Sequence, residues 1–233
     1  MCKWEAKKVT KKSLLQLAKK KSKICLGVLF IMGFSLFGSC AKKTPENHFW
    51  RWFEKNQEML YNFENDRNQA FHKLKTALSK VHPDLTFEFG PDVNGVRDFV
   101  ISAGGLREAF PVVKSLYESA PPMPRWNFIA FRPRRAPMPL KMNDITIEPS
   151  NLEIALEPDG VKPGFNVFVK DYEESKRDLY LHLVFLMLDQ AIGEYDMTMK
   201  VGFIEIKSFE ENTEFKRHRF DELPQIFDEF VTR

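Results

Sequence analysis

The sequence predicts an α+β domain, a mixed and mainly antiparallel sheet with helices packed on it. It forms a single domain behind an N-terminal segment of different composition. Three observations carry that prediction. Segments with apolar residues at helical spacing alternate with short runs of period two, in the order ααβ–βαβββ–βαβα. Gly, Pro, Asn and Asp gather between the short runs, where turns need them. The aromatic content of 13%, with 22 phenylalanines, suits a packed core and not a disordered chain.

The chain opens with a basic region. Residues 1–23 hold nine lysines against the single acid Glu5, and residues 24–39 carry no charge at all. The run 24–40 reads ICLGVLFIMGFSLFGSC and ends on Phe37-Gly38-Ser39-Cys40. A bulky apolar residue, two small ones and a cysteine behind a basic, then apolar, leader resemble the lipobox of bacterial lipoprotein precursors. The resemblance implies a signal segment over 1–39, a short tether over 40–45 and the domain over 46–233. Cys40 would carry a diacylglyceryl group and an N-acyl chain, enough grease to hold a protein firmly at a bilayer. Ala41, standing where inner-membrane lipoproteins have aspartate, implies the outer membrane facing the periplasm in a host with two membranes. The alternative is an uncleaved inner-membrane signal anchor, for which the apolar run is of borderline length. Both readings put the domain outside the inner membrane, because the basic flank stays in the cytoplasm. Gly38 and Ser39 favour cleavage.

Charge and cysteine usage agree with processing. The whole chain sums to +3, but residues 1–23 carry +8, so the 194 residues from Cys40 onward sum to −5. A mildly acidic domain has no electrostatic reason to bind nucleic acid, and none is expected as a partner. Cleavage before Cys40 would remove Cys2 and Cys25, leaving no internal disulfide to form.

The domain's elements follow in order. Thr44-Pro45-Glu46 is a helix start: hydroxyl cap, proline in the first turn, acid at the positive end. Phe49, Trp52, Phe53, Leu60 and Phe63 repeat at helical spacing behind it, and a second helix is expected over 66–81, stopped by Pro83. Residues 85–89 and 98–102 alternate around a turn-rich hexapeptide, 90–95, and read as a hairpin. Gly104-Gly105 precede a helix over 106–119, in which Pro111 fits only the first turn. The proline-rich 120–124 leads into a strand over 125–131. Short strands are expected at 144–148, 152–156 and 165–169, with turn chemistry at 157–160. A long helix from about 173 contains LYLHLVFLML, apolar on nearly all sides and so expected to be enclosed. Gly193 should end it. A strand over 201–206 and a terminal helix over 223–231 complete the chain.

The common catalytic signatures are missing from the sequence: no Gly-x-Ser-x-Gly elbow, His-Glu-x-x-His pair, phosphate loop or Cys-x-x-Cys pair occurs. His48, His72, His82, His182 and His218 do not stand at metal-ligand spacing, so no metal or other cofactor is expected. His182, inside the most apolar helix, reads as a core histidine. Gly104-Gly105 could offer backbone N–H groups to an anion. Glu194, Asp196 and Glu205 form an acidic set that could hold a cation or share a proton if they converge. Most prominent is the turn carrying Arg132, Arg134 and Arg135, which ends a strand whose other end bears Trp126. Guanidinium groups fork onto carboxylates and phosphates and stack on rings, so this Arg/Trp patch is the candidate ligand site. The same arginines could instead pin loops to the sheet by pairing with Glu194, Asp196 or other acids.

The segments FWRWFEKN, VHPDLTFEFGP, RWNFIAFRPRR, GEYD and VGFIEI resemble an uncharacterised bacterial protein family over about residues 49–230. That resemblance implies one domain, whose folding does not depend on a membrane, and no activity. The expected function is a membrane-tethered, non-catalytic domain that binds an anionic envelope ligand or a partner protein through the Arg/Trp patch. The alternative is a cell-envelope hydrolase or transferase using the late carboxylates with an arginine clamp.

Overall fold

The computed structural model describes residues 44–232. The leader, the lipobox with Cys40 and the start of the tether lie outside the described residues. The described chain is α+β: helices α1 (Pro45–Tyr61), α2 (Arg67–Ser79), α3 (Phe110–Glu118), α4 (Arg177–Ile192), α5 (Glu194–Lys200) and α6 (Leu223–Val231) accompany nine strands. Among these helices none is long and apolar enough to cross a membrane.

The strands form three sheets where the sequence suggested one. The first is β1 (Thr86–Val93), β2 (Val96–Ser102) and β3 (Trp126–Ala130), with β1 antiparallel and β3 parallel to β2. A small antiparallel pair follows, β4 (Leu140–Met142) with β5 (Ile145–Ile147). The third has the order β8-β7-β6-β9, from β6 (Leu152–Asp159), β7 (Lys162–Val169), β8 (Ile204–Ser208) and β9 (Arg217–Arg219). Here β6 and β7 form a hairpin, and β8 lies parallel to β7 after α4 and α5. The two larger sheets therefore share one plan: a hairpin, a helical crossover, then a strand parallel to the hairpin's second strand. No repeat in the sequence announces this. Each half has its own core, the first around Phe53, Phe99, Leu116 and Trp126, the second around Val167, Val184, Leu188 and Phe227.

Local chemistry explains most boundaries. The Thr44 hydroxyl accepts from Asn47 N at 3.3 Å with Pro45 in the first turn, and the Asp66 carboxylate caps α2 through Gln69 N at 3.0 Å. Pro111 does fall in the first turn of α3, which is shorter than expected because Arg107–Ala109 winds as a 3-10 turn. Both hairpins run past their expected ends. The first turns at Asn94-Gly95, with φ of 54° and 80°, while Gly90-Pro91 only shifts the register between Phe89 and Asp92. In the second, Pro158 pairs with Pro163 inside the ladder, and the turn is made by Gly160 and Val161.

The long helix differs from expectation on one face. Leu183, Val184, Met187 and Leu188 are buried, but Leu181 and His182 are exposed, so His182 is not a core histidine. A helix that packs on one sheet buries one face, and the apolar side chains opposite are left only partly covered. Three elements were not anticipated: β4, α5 and β9. Each is short, and β9, with the sequence Arg-His-Arg, has no apolar pattern.

Candidate functional site

The arginine turn lies where the two halves meet. The chain leaves β3 at Phe131, which adopts a left-handed φ of 67° and donates its N–H to Ile101 O at 2.8 Å. Its ring packs on Phe110 and Tyr195, with centroids 4.5 and 5.3 Å away. That bend sends residues 132–138 across the end of α4 and the start of α5. Arg135 N bonds to Gln190 O at 2.8 Å, and Met138 N bonds to the Gln190 side-chain oxygen at 2.8 Å.

Glu194 sits at the centre and is fully buried. Its Oε1 accepts from Ala103 N at 2.9 Å and Gly105 N at 3.0 Å, and its Oε2 accepts from Arg132 N at 3.0 Å. Arg132 O accepts in return from Glu194 N at 3.0 Å. At the Gly104-Gly105 turn, where φ is 62° and 80°, the Ala103 and Gly105 N–H groups hold this chain's own carboxyl group and face no external ligand. Gly193 makes the approach possible. Its φ is 83°, and a Cβ there would stand 3.3 Å from the Arg134 side chain and 3.4 Å from Arg132 O.

Each arginine is committed to an acid. Arg132 Nε lies 2.7 Å from Asp189 Oδ2 and 4.0 Å from Glu88. Its N–H is not aimed at either, so Arg132 Nε and Asp189 Oδ1 both stay without a directed hydrogen bond. Burial pushes the Asp189 carboxyl up to about 6, opposed by Arg132 and reinforced by Glu194. Arg134 makes the fuller set: Nε to Ile192 O at 3.0 Å, one terminal nitrogen to Asp228 at 2.8 Å, and the other to Asp196 at 2.7 Å and Asp228 at 2.9 Å. This fork holds the Asp228 carboxyl below the usual carboxylate range. Arg135, the most exposed of the three, reaches Glu88 at 3.1 Å.

The structure thus separates what the sequence grouped. Trp126 is buried among Phe53, Tyr61 and Phe89 at the opposite end of β3, with no part in the arginine turn. Of the acidic set, Glu194 is enclosed by backbone N–H groups and Asp196 pairs with Arg134 and with Lys200 at 2.8 Å. Glu205 stands away on β8, exposed to solvent and 3.5 Å from Lys207. The three do not converge, and among the described residues no His, Cys, Asp and Glu cluster is arranged for a metal. Sequence reasoning gave no sign of Glu88, Gln190 or Asp228 in this seam. The one available signal was polar Asp189-Gln190 interrupting the apolar run of α4.

Fold and seam together define an α+β domain of two ββαβ halves joined by a buried carboxylate and three arginines. Comparison with protein-family models, curated proteins and solved structures returned no match.

Proposed function

We propose that the chain is a membrane-tethered bacterial lipoprotein, lipidated at Cys40, whose domain is a non-catalytic binding module of the cell envelope. The observation that carries this reading is the run Phe37-Gly38-Ser39-Cys40 behind a basic and then apolar leader, four residues ahead of the helix cap at Thr44. Thr44 caps the first helix, and among the described residues the buried members of both cores lie at Phe49 and beyond. Cleavage before Cys40 would leave every described element intact, with only 41–43 between the lipid and the helix cap. In a host with two membranes the site of residence is the outer membrane, facing the periplasm.

The seam speaks against the catalytic alternative. A hydrolase or transferase reading needs open carboxylates beside an arginine clamp, and Glu194 is closed to solvent, Asp196 is taken up by Arg134 and Lys200, and Glu205 stands apart beside Lys207. The arginine turn serves cohesion first, and a ligand for the domain must be met elsewhere or by Arg135 alone. Charge reversal at Arg134 and Arg135 should therefore lower the thermal midpoint by several degrees; an unchanged midpoint would return the turn to the list of ligand sites. For the anchor, mass spectrometry of the membrane-borne protein should find an N-terminal peptide starting at Cys40 with acyl chains attached. Normal maturation and membrane fractionation of Cys40→Ser would end the reading.

A further inference from the structure

The remaining observation concerns α2. From Arg67 to Pro83 the chain contains no acid, while Arg67, Lys73, Lys75 and Lys80 carry four positive charges and His72 and His82 add two titratable rings. In a domain of net −5 this is a marked local excess of positive charge. The helix buries Ala70, Leu74, Ala77 and Leu78, which places Lys75, His72, Lys80 and Lys73 around its outer face, all exposed. Among the described residues none of the four cations has a carboxylate within ion-pair distance. Of the neighbouring acids, Glu64 reaches Arg97 at 2.9 Å and Glu46 accepts from Ser115 at 2.8 Å, while Asp66 is taken up in capping the helix and Asp84 lies 3.8 Å from the His82 ring.

The position of this face matters as much as its charge. Helices α1 and α2 run antiparallel, so the start of α1 lies beside the end of α2. Pro45, His48, Phe49 and Trp52 from the first meet Ala77 and Lys80 from the second around an open groove of about 430 Å³. Cys40 is five residues before Pro45, and five extended residues span at most roughly 18 Å. An indole, an imidazole and an ammonium group thus stand within reach of any bilayer that holds Cys40. Indole rings settle at the lipid–water interface, and lysine reaches to it.

We infer that the outer face of α2, with the Trp52 groove at its end, docks on anionic phospholipid headgroups. The interaction would lay the domain on the membrane surface. The inference rests on the lipid-anchor reading for its placement, and its chemistry is that of a basic face opposite a negatively charged leaflet.

The test uses the full chain, recovered from membranes and reconstituted into vesicles. One set is phosphatidylcholine alone and the other contains about 30% phosphatidylglycerol. Flotation reports attachment, and amine-reactive footprinting read by mass spectrometry reports which lysines are covered. The expected result is flotation with both sets, and labelling of Lys73, Lys75 and Lys80 reduced about threefold or more on the anionic vesicles only. Lys162 and Lys170, in the other half, should label equally, and about 0.5 M salt should abolish the protection. Flotation with equal labelling on both sets would overturn the docking face and leave the anchor standing. Failure to float with phosphatidylcholine would remove the anchor, and the face would then stand or fall on flotation with the anionic set. Protection by an RNA or DNA oligonucleotide but not by anionic vesicles would overturn it in favour of nucleic acid.

Discussion

The two halves share a strand order and differ in what fills them. The first is packed ring on ring: Phe53 has Trp126, Phe99, Trp50, Phe128 and Phe49 at centroid distances of 4.9, 5.0, 5.5, 5.6 and 6.0 Å. The second is mainly aliphatic, with Val184, Leu188 and Ile192 of α4 against Ile154, Val167 and Ile206 of the sheet. A hairpin with a parallel third strand can therefore be filled by either chemistry, and its layout follows from alternation and turns more than from particular side chains. What the halves cannot share is the way they answer to damage. Rings pack in fixed edge-to-face arrangements, while branched aliphatics have more freedom to shift into a gap.

Deleting a ring is the largest way to break that symmetry. Phe53→Ala should destabilise the protein by about 4 kcal/mol, and Leu188→Ala in the other core by about 3. Denaturant titration would compare them. Equal losses would show that both cores relax alike. A useful asymmetry assists the measurement, since Trp50, Trp52 and Trp126 all lie in the first half and the second half has no tryptophan. Indole fluorescence therefore reports one half of the domain, while far-ultraviolet circular dichroism reports both.

The next perturbation acts between the halves. Glu194→Ala removes a carboxylate that satisfies three backbone N–H groups, two in the first half and one on the turn leading out of it. Leaving buried donors unpaired should cost roughly 3 kcal/mol. The natural protein should show coincident transitions by fluorescence and circular dichroism, and the variant should separate them. Loss of stability with both transitions still superimposed would mean that the seam does not couple the halves.

How much of this was legible beforehand depends on whether a residue's role was local. Thr44-Pro45, the first hairpin, the strands of the second, Gly104-Gly105 and the aliphatic run of α4 announce themselves, since caps, alternation and helical spacing are properties of neighbouring residues. The hairpin turn falls inside the expected hexapeptide 90–95, at Asn94-Gly95, whose backbone chemistry the turn requires, while Gly90-Pro91 stays within the first strand. The enclosed α4 was expected from composition, and composition does not say how many elements cover a helix. The seam is illegible for a deeper reason. Glu194 and Gly105 are 89 residues apart, and nothing near Glu194 distinguishes a buried carboxylate from a solvated one. Arg132, Arg134 and Arg135 were visible as a cluster, but whether they face a ligand or an internal acid is decided by α4 and α6, which lie far along the chain.

The smallest expected effect sharpens the comparison within the seam itself, between two aspartates that answer the same arginine turn with opposite signs. Asp228, on α6, is held low by Arg134, so its contribution is present at neutral pH and lost as the pH falls. Asp189, on α4, is pushed up to about 6 by burial. A folded-state value above the ordinary 3.8 means that the protonated form favours folding. Its contribution is full in acid and disappears as the pH rises through about 6. Between pH 5 and pH 8 the natural protein should lose about 1 kcal/mol through this one group. Asp189→Asn, which keeps the shape and cannot ionise, should remove that slope and so gain on the natural protein by the same amount across the window. Denaturation midpoints at pH 5 and pH 8 would measure it. A variant that instead lost ground at pH 8 would mean that the attraction of Arg132 for the ionised Asp189 outweighs the cost of burying the charge.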